Sequence, residues 1–332
     1  MGRYLFKRVL LIIPTFLGIS LITFAVIHLA PGDPADLKMR AGDSGKVVAQ
    51  AAQIVEQTKV LYGLDQPLIV QYGRWLKRIA TFDFGTSYRD HRPVLTKIAE
   101  TLPITLALNL LTIFVIYLIA VPWGLATALF PSGWFDRLSA LVLFVLHSLP
   151  AFWVALLLIV FLGGGDYGNW FPISGFVSDN ADALTRFQWL GNVLWHLVLP
   201  VTCLTYGGFA FLSRFSRATL LEVLHQDYIR TARAKGLSEW TVVLKHGFRN
   251  ALIPQITLLG TLLPALLGGS VIVEQIFAIP GMGRLSFEAV LSRDYPVILA
   301  IATIDALLTL VSLMCVDCLY VAVDPRITFE KK

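Results

Sequence analysis

Asp227-Tyr228-Ile229-Arg230-Thr231-Ala232-Arg233-Ala234-Lys235-Gly236-Leu237-Ser238 is followed, after a short gap, by Lys245-His246-Gly247-Phe248-Arg249-Asn250-Ala251-Leu252-Ile253-Pro254. This is a long, charge-rich loop between strongly apolar stretches. Apolar residues recur at helical spacing on both sides of a break: Leu220, Leu224 and Tyr228 before it, then Leu237, Trp240, Leu244 and Phe248 after it. Gly236 suits the left-handed position that ends a helix, with Lys235 in the last turn. Ser238 is placed to cap the next helix, with Glu239 at its positive end. The spacing predicts two short amphipathic helices joined by a tight turn and held just outside an apolar bundle. Such an element needs something to dock against.

Outward from this loop the chain becomes apolar. Hydrophobic residues make up 56% and charged residues 15% of the 332 positions, and mean hydropathy is +0.70. Soluble domains carry about a quarter charged residues, so the composition points to a membrane protein. The net charge of +5 does not point to nucleic acid, because the basic residues sit at the ends of apolar runs and in loops, where topology accounts for them. Cys203, Cys315 and Cys318 lie inside apolar runs, which excludes a disulfide framework. Cys315 and Cys318 form a C-x-x-C with no second pair and no nearby histidine. Packing is the preferred reading over metal or redox use.

A hydrocarbon core about 30 Å thick takes roughly 20 apolar residues in a helix. Six stretches qualify: Val9–Leu29, Leu102–Phe130, Phe135–Leu162, Leu190–Leu212, Leu252–Val273 and Val297–Val323. Arg3, Lys7 and Arg8 precede the first and place the N-terminus in the cytoplasm. The first run is too long for a signal peptide and offers no small-x-small cleavage site, so it reads as a retained helix. Alternation puts 30–101, 163–189 and 274–296 outside, and 131–134, 213–251 and the C-terminus inside. Arg214, Arg217, Arg230, Arg233, Lys235, Lys245 and Arg249 crowd the second inner loop, while Asp166, Asp179 and Asp182 face only Arg186 in the second outer loop. The fold expected is therefore an all-α membrane protein of six transmembrane helices. Its parts are the N-terminal region and first span (1–29), a small helical extracytoplasmic domain (30–101), a five-helix core with the 213–251 loop (102–323) and a cytoplasmic tail (324–332). Within the outer domain, Lys46–Tyr62 has a helical pattern closed by Gly63, and Pro67 is placed to open a second helix near Leu68–Ile79.

An ionisable residue at membrane depth costs on the order of 2.5–3.5 kcal/mol and needs a reason. Asp305 has two readings: it lines a polar path and meets the amino group of a cationic substrate, or it pairs with a neighbouring helix or subunit. The second is preferred. Asp317, nearer the inner interface, reads as structural. His147 and His196 read as hydrogen-bonded packing residues, and His28 and His91 are too far apart to argue a metal site. Asn109, Asn192 and the span prolines Pro14, Pro122, Pro150, Pro200 and Pro264 read as packing or kink features. Pro280-Gly281-Met282-Gly283, just beyond a span end, either shapes an outer gate or makes a plain interfacial turn. Gly163-Gly164-Gly165 reads as a helix exit. There is no phosphate-cradling glycine motif, no HExxH and no nucleophile–base set at one depth. An intramembrane enzyme would need paired reactive residues at one depth, and His147, His196, Asp305 and Asp317 have no such spacing. The chain reads as no enzyme and no ATPase, with no cofactor and no metal of its own.

The loop resembles the "EAA" coupling loop of permease subunits of ABC-type importers, in the dipeptide/oligopeptide/nickel branch and its B-type permeases. Arg230, Thr231 and Ala232 fall where the general motif has Glu-Ala-Ala, and Gly236 matches its glycine. The missing Glu-Ala departs from the general consensus, whereas Arg-Thr-Ala-Arg-Ala-Lys-Gly is the form this branch resembles. Further matches are Pro31-Gly32-Asp33-Pro34, Tyr62-Gly63-Leu64-Asp65 with Pro67, Asp83-Phe84-Gly85-Thr86-Ser87, Pro280-Gly281-Met282-Gly283 and Asp324-Pro325-Arg326. Phe82-Asp83-Phe84-Gly85, Leu149-Pro150-Ala151-Phe152 and Phe171-Pro172 look most like the oligopeptide and peptide-antibiotic (Yej-type) members. The resemblance implies the type I importer permease fold and an inner-membrane location. It implies a second homologous permease, two ABC ATPases that bind ATP and Mg, and an extracytoplasmic solute-binding protein as partners, besides membrane lipid and without nucleic acid. It implies short peptides or peptide-like solutes as cargo, with nickel chelates as a family alternative. On this reading Asp227–Asn250 docks in a cleft of one ATPase. Arg230, Arg233 and Lys235 supply charged contacts, Tyr228, Ala232 and Leu237 pack, Gly236 sets the bend, and Asp227 and Thr231 complete the element. The rival from another class is a stand-alone secondary transporter or channel that uses Asp305 for ion coupling.

Overall fold

A computed structural model describes residues 2–29, 65–164, 167–262, 266 and 269–323. The expected helix at Lys46–Tyr62, the Pro31–Pro34 and Asp324–Arg326 motifs, the 324–332 tail, Asp166 and Pro264 lie outside the described residues. So do the side chains of Cys315, Asp317 and Cys318. The described residues are helical, with no strand beyond two isolated bridges, Thr86 to Pro93 and Gly163 to Asn169.

In chain order the helices are α1 (Gly2–Leu29), α2 (Leu68–Ala80), α3 (Val94–Leu129), α4 (Trp134–Ser148), α5 (Ala151–Leu162), α6 (Arg186–Leu224), α7 (Asp227–Ala234), α8 (Glu239–Thr241), α9 (Arg249–Thr261), α10 (Val271–Ile276), α11 (Met282–Ser292) and α12 (Tyr295–Val323). Between α8 and α9 the backbone takes one π-helical stretch, Val242–Phe248. Four of the described helices are long and apolar enough to cross a membrane, in α1, α3, α6 and α12, and α4 with α5 make a fifth if the bent pair is one span. Within the apolar run expected at Leu252–Val273, the described helical residues are those of α9 to Thr261, residue 266 and the start of α10 at Val271.

The chain forms two compact units. The first holds α1, α2, the start of α3 to residue 103, and residues 285–314. Here α1 leaves Leu10, Leu11, Ile13, Ile22 and Val26 exposed, as a lipid-facing span would. Pro67 opens α2, as its position in the sequence requires. No α2 side chain is buried, so α2 carries no core of its own. Beyond it, the buried Asp294 accepts hydrogen bonds from the Ser87 hydroxyl and the Tyr88 N–H, tying the 83–93 turns to the start of α12.

The second unit, residues 104–284 with the end of α12, has its core where α3, α5, α6 and α10 meet, around Leu108, Ala155, Leu197, Leu199, Val273 and Phe277. Thr185 and Gln188 form a reciprocal capping box that starts α6. Two boundaries differ from the sequence reading. Helix α6 runs past Leu212 to Leu224, because Ser213, Ser216 and Leu220 keep facing the core while Arg214, Arg217 and Glu222 lower the hydropathy of the same turns. The run Phe135–Leu162 is not a kinked helix but two helices meeting at 98°. Pro150 has no N–H and holds Leu149 extended. Helix α6 braces the corner: Tyr206 donates its hydroxyl to the Leu149 carbonyl at 2.7 Å, and the buried Cys203 thiol reaches the Ala151 carbonyl at 3.2 Å.

Candidate functional site

The 225–250 segment folds back on the end of α6. Ile229 is fully buried, Ala232 nearly so, and both pack with Val242 and Leu224. Val243 joins Leu220, Ala128 and Ala251 in an adjoining cluster. Gly247 lets the π stretch approach α6 closely, since a Cβ there would stand 3.1 Å from Leu224 and 3.4 Å from Leu220. Helix α7 ends at Lys235, and Gly236 turns the chain with φ +76° and open space around it. Ser238 then accepts a bond from the Thr241 N–H and caps α8. The left-handed glycine and the serine cap stand where the sequence puts them. The second helix differs: instead of ending as a short separate element, it passes through the π stretch directly into α9.

Charge and hydrogen bonds brace this bend. Arg233 grips Glu239 with two contacts, Nη2 to Oε1 at 2.6 Å and Nε to Oε2 at 3.2 Å. That bond holds the Glu239 carboxyl below the usual glutamate range. Arg230 stands 3.6 Å from Asp227 on the same helix, and Thr231 donates back to the Asp227 carbonyl. The Asn250 amide donates to the Tyr228 hydroxyl at 2.9 Å, pinning α7 to the start of α9. Of the residues expected to pack at the dock, Ala232 is turned inward, buried with Ile229 and Val242. Tyr228 and Leu237 stand 43% and 40% exposed, as Trp240 does at 66% and Leu244 at 44%. Lys235 is exposed. Ile229 and Val242 are the anchors that mount the bend on the bundle, residues the sequence had not singled out. The i, i+3 spacing of Ile229 and Ala232, with Arg230 and Arg233 on one flank, was the available signal.

The Pro280–Gly283 turn is built around a residue the sequence reading passed over. Glu274 in α10 is completely buried. Its carboxylate accepts from the Thr105 hydroxyl at 3.2 Å and from the Arg284 N–H at 2.9 Å, and the Gly283 N–H also faces it. Thr105 in turn accepts the Met282 N–H. A Cβ on Gly281 would sit 2.5 Å from the carboxylate and 2.6 Å from Thr105 Oγ1, and one on Gly283 would sit 2.8 Å from the Val271 nitrogen. The turn is thus a clasp closed on a carboxylate. An acidic residue ending an apolar run shortly before Pro-Gly-x-Gly was the available signal. Asp305 stands half-buried on α12 in the first unit and belongs to neither constellation. His196 is buried with Nδ1 2.8 Å from the Asn192 carbonyl, a packing histidine.

Between α3, α6 and α9 lies a cleft of about 230 Å³, lined by Asn109, Thr112, Tyr117, Gly208, Phe211 and Leu258 among others. Asn109 donates to the Leu266 carbonyl and Tyr117 to the Gln255 carbonyl, so the polar groups of this otherwise apolar cleft are committed to its walls. No set of three or more His, Cys, Asp or Glu able to hold a metal occurs among the described residues.

Residues 120–329 match the model of the "Binding-protein-dependent transport system inner membrane component" family. Residues 1–109 match its N-terminal companion, "Binding-prot-dependent transport system membrane comp, N-term". The chain is 41% identical over 330 residues to the oligopeptide transport system permease protein AppB of Bacillus subtilis, covering 99% of this chain and 100% of that one. It is 36% identical over 362 residues to the inner membrane ABC transporter permease protein YejB of Escherichia coli O157:H7, again across 99% and 100%. Identity to the dipeptide transport system permease protein DppB of Alkalihalophilus pseudofirmus is 36% over 346 residues, with the same coverage.

Proposed function

The chain belongs to the binding-protein-dependent transport system inner-membrane family, and on that premise we propose that it is the permease subunit of an ATP-driven importer of short peptides or peptide-like solutes. The relatives' names supply the cargo class. A nickel chelate or another small solute is the alternative cargo. The chain contributes half of the translocation pathway and pairs with a second, homologous permease. Two ABC ATPases, which bind ATP and Mg, sit below, and a solute-binding protein delivers cargo from outside. On this reading the chain has six spans, with both termini and the 225–250 bend in the cytoplasm, which the basic residues crowding 213–251 support.

The observation that carries this reading is the exposed rim of Tyr228, Leu237, Trp240 and Leu244 beside Arg230 and Lys235, mounted on the buried anchors Ile229 and Val242. A bend this firmly attached moves with α6 and α9. Closure of the ATPase pair then swings the bundle from inward-open to outward-open, provided the dock is energetically different in the two states. The test is Gly236→Val and Trp240→Ala in the complete transporter. Valine is strained at φ +76° by about 1–2 kcal/mol, and the loss of Trp240 removes rim area without touching the anchors. Each variant is expected to insert and assemble but to lose cargo-stimulated ATP hydrolysis by tenfold or more (about 1.4 kcal/mol at the dock). Normal coupling in both, or ion-driven uptake by this chain alone in vesicles, overturns the reading. The second outcome would put Asp305 at the centre of a stand-alone transporter.

A further inference from the structure

Helix α2 is amphipathic and lies against a span. Stepping 100° per residue, Leu68, Tyr72, Trp75 and Ile79 share one face, Ile69 and Leu76 adjoin it on one flank, Arg78 lies on the other flank, and Arg74 and Lys77 occupy the opposite side. The first face meets α1. The Phe24 ring contacts Tyr72 and Trp75 at centroid distances of 5.4 and 5.7 Å, and the Tyr72 hydroxyl is 2.9 Å from Ser20 Oγ. At about 1.5 Å rise per residue, Phe24 lies roughly 7 Å from the Leu29 end of α1. An interfacial helix seats its apolar face about 5–10 Å into the boundary between headgroups and acyl chains, and Tyr and Trp favour that level.

Two flanks of α2 remain uncovered. Ile69 is 80% exposed, next to an α1 surface whose own leucines and isoleucines are exposed. Arg74 and Lys77 are exposed on the far side, and Arg78 is bound to Asp83 at 2.9 Å. An aliphatic residue this exposed beside a span fits acyl chains, and cations one level further out fit phosphate. We propose that α2 is an interfacial anchor that inserts Ile69 and Leu76 among acyl chains and binds the headgroup phosphates of anionic phospholipids through Arg74 and Lys77. It rests on the membrane reading of α1, and takes from the proposed orientation only that the leaflet is the outer one. The effect would be to fix the segment that joins the first two spans at a set depth.

The test uses the complete transporter in nanodiscs of phosphatidylcholine alone or mixed with phosphatidylglycerol. Cys203, Cys315 and Cys318 are replaced by serine, and nitroxides are attached at Ile69→Cys or Lys77→Cys. The expected result is an Ile69 label that collides with oxygen and not with a water-soluble nickel chelate, and a Lys77 label at phosphate level. In a second measurement, free of the cysteine changes, phosphatidylglycerol retained through detergent washing is weighed by mass spectrometry. The Arg74→Gln/Lys77→Gln variant is expected to retain less, by about fivefold per residue replaced. An Ile69 label open to the nickel chelate overturns the proposal, as does equal retention by the double variant. Loss of binding-protein docking in that variant, with lipid retention intact, would assign the basic face to a protein instead. Cargo-stimulated ATP hydrolysis is recorded in the same samples, so a failure of the coupling reading shows separately.

Discussion

At the scale of single residues, two glycines do opposite work. Gly236 is needed for its backbone alone, since φ is +76° and nothing lies within 4 Å of a Cβ there. Gly281 is needed for space, because a methyl would press on the Glu274 carboxylate and Thr105 together. Gly281→Ala is therefore expected to lower stability by about 1–3 kcal/mol, seen as a reduced melting temperature of the purified complex, while Gly191→Ala, with open space around it, is expected to leave it unchanged. The first glycine was legible in the sequence because helix-stop chemistry is local: Lys235, Gly236 and Ser238 suffice. The second was not. Its requirement comes from Thr105 and Glu274, far apart in sequence, and a glutamate ending an apolar run before Pro-Gly-x-Gly flags the turn without telling which groups will bond to it.

At the scale of elements, the coupling bend is held by few apolar contacts, so each matters. Ile229→Ala empties the centre of the small cluster with Ala232, Val242 and Leu224. A loss of about 2–5 kcal/mol in so small a unit is expected to release α7 without unfolding the spans. Hydrogen exchange should then rise in 225–238 and stay low in α6 and α3; equal exchange to the parent chain would show that the Arg233–Glu239 and Asn250–Tyr228 bonds hold α7 unaided. The helical periods on each side of the break were readable, as was the α2 start after Pro67. Which of Tyr228 or Ile229 faces inward was not, because adjacent apolar residues on a short helix straddle its boundary and only the partner surface decides.

At the scale of the whole chain, hydropathy located the apolar runs but not the ends and breaks of helices. The α4–α5 corner at Pro150 and the extension of α6 to Leu224 both depend on side chains from other helices. The same holds for the ion pair between Asp136 of α4 and Arg217 of α6, 2.6 Å apart and only 9% and 20% exposed. In the sequence Arg217 is one more positive charge beside a span. In the fold it ties two helices where Gly124 lets α3 approach α6 within 2.6 Å of a would-be Cβ. Asp136→Ala is expected to cost on the order of 3 kcal/mol by stranding the guanidinium. Combining it with Arg217→Leu should cost less than the sum of the single changes, measured as thermal stability in nanodiscs; strict additivity would show that the two charges do not depend on each other.

The widened coil at Val242–Phe248 closes its backbone hydrogen bonds across one more residue than the helices on either side of it. Excising a single residue there would let the chain tighten into an ordinary α-helix without forfeiting backbone bonds. Because the π stretch already absorbs its extra residue, everything upstream would keep nearly the same facing against α9, and Trp240 its bearing. A one-residue deletion there is therefore expected to be tolerated, whereas the same deletion inside α9 would swing the handle by about 100°.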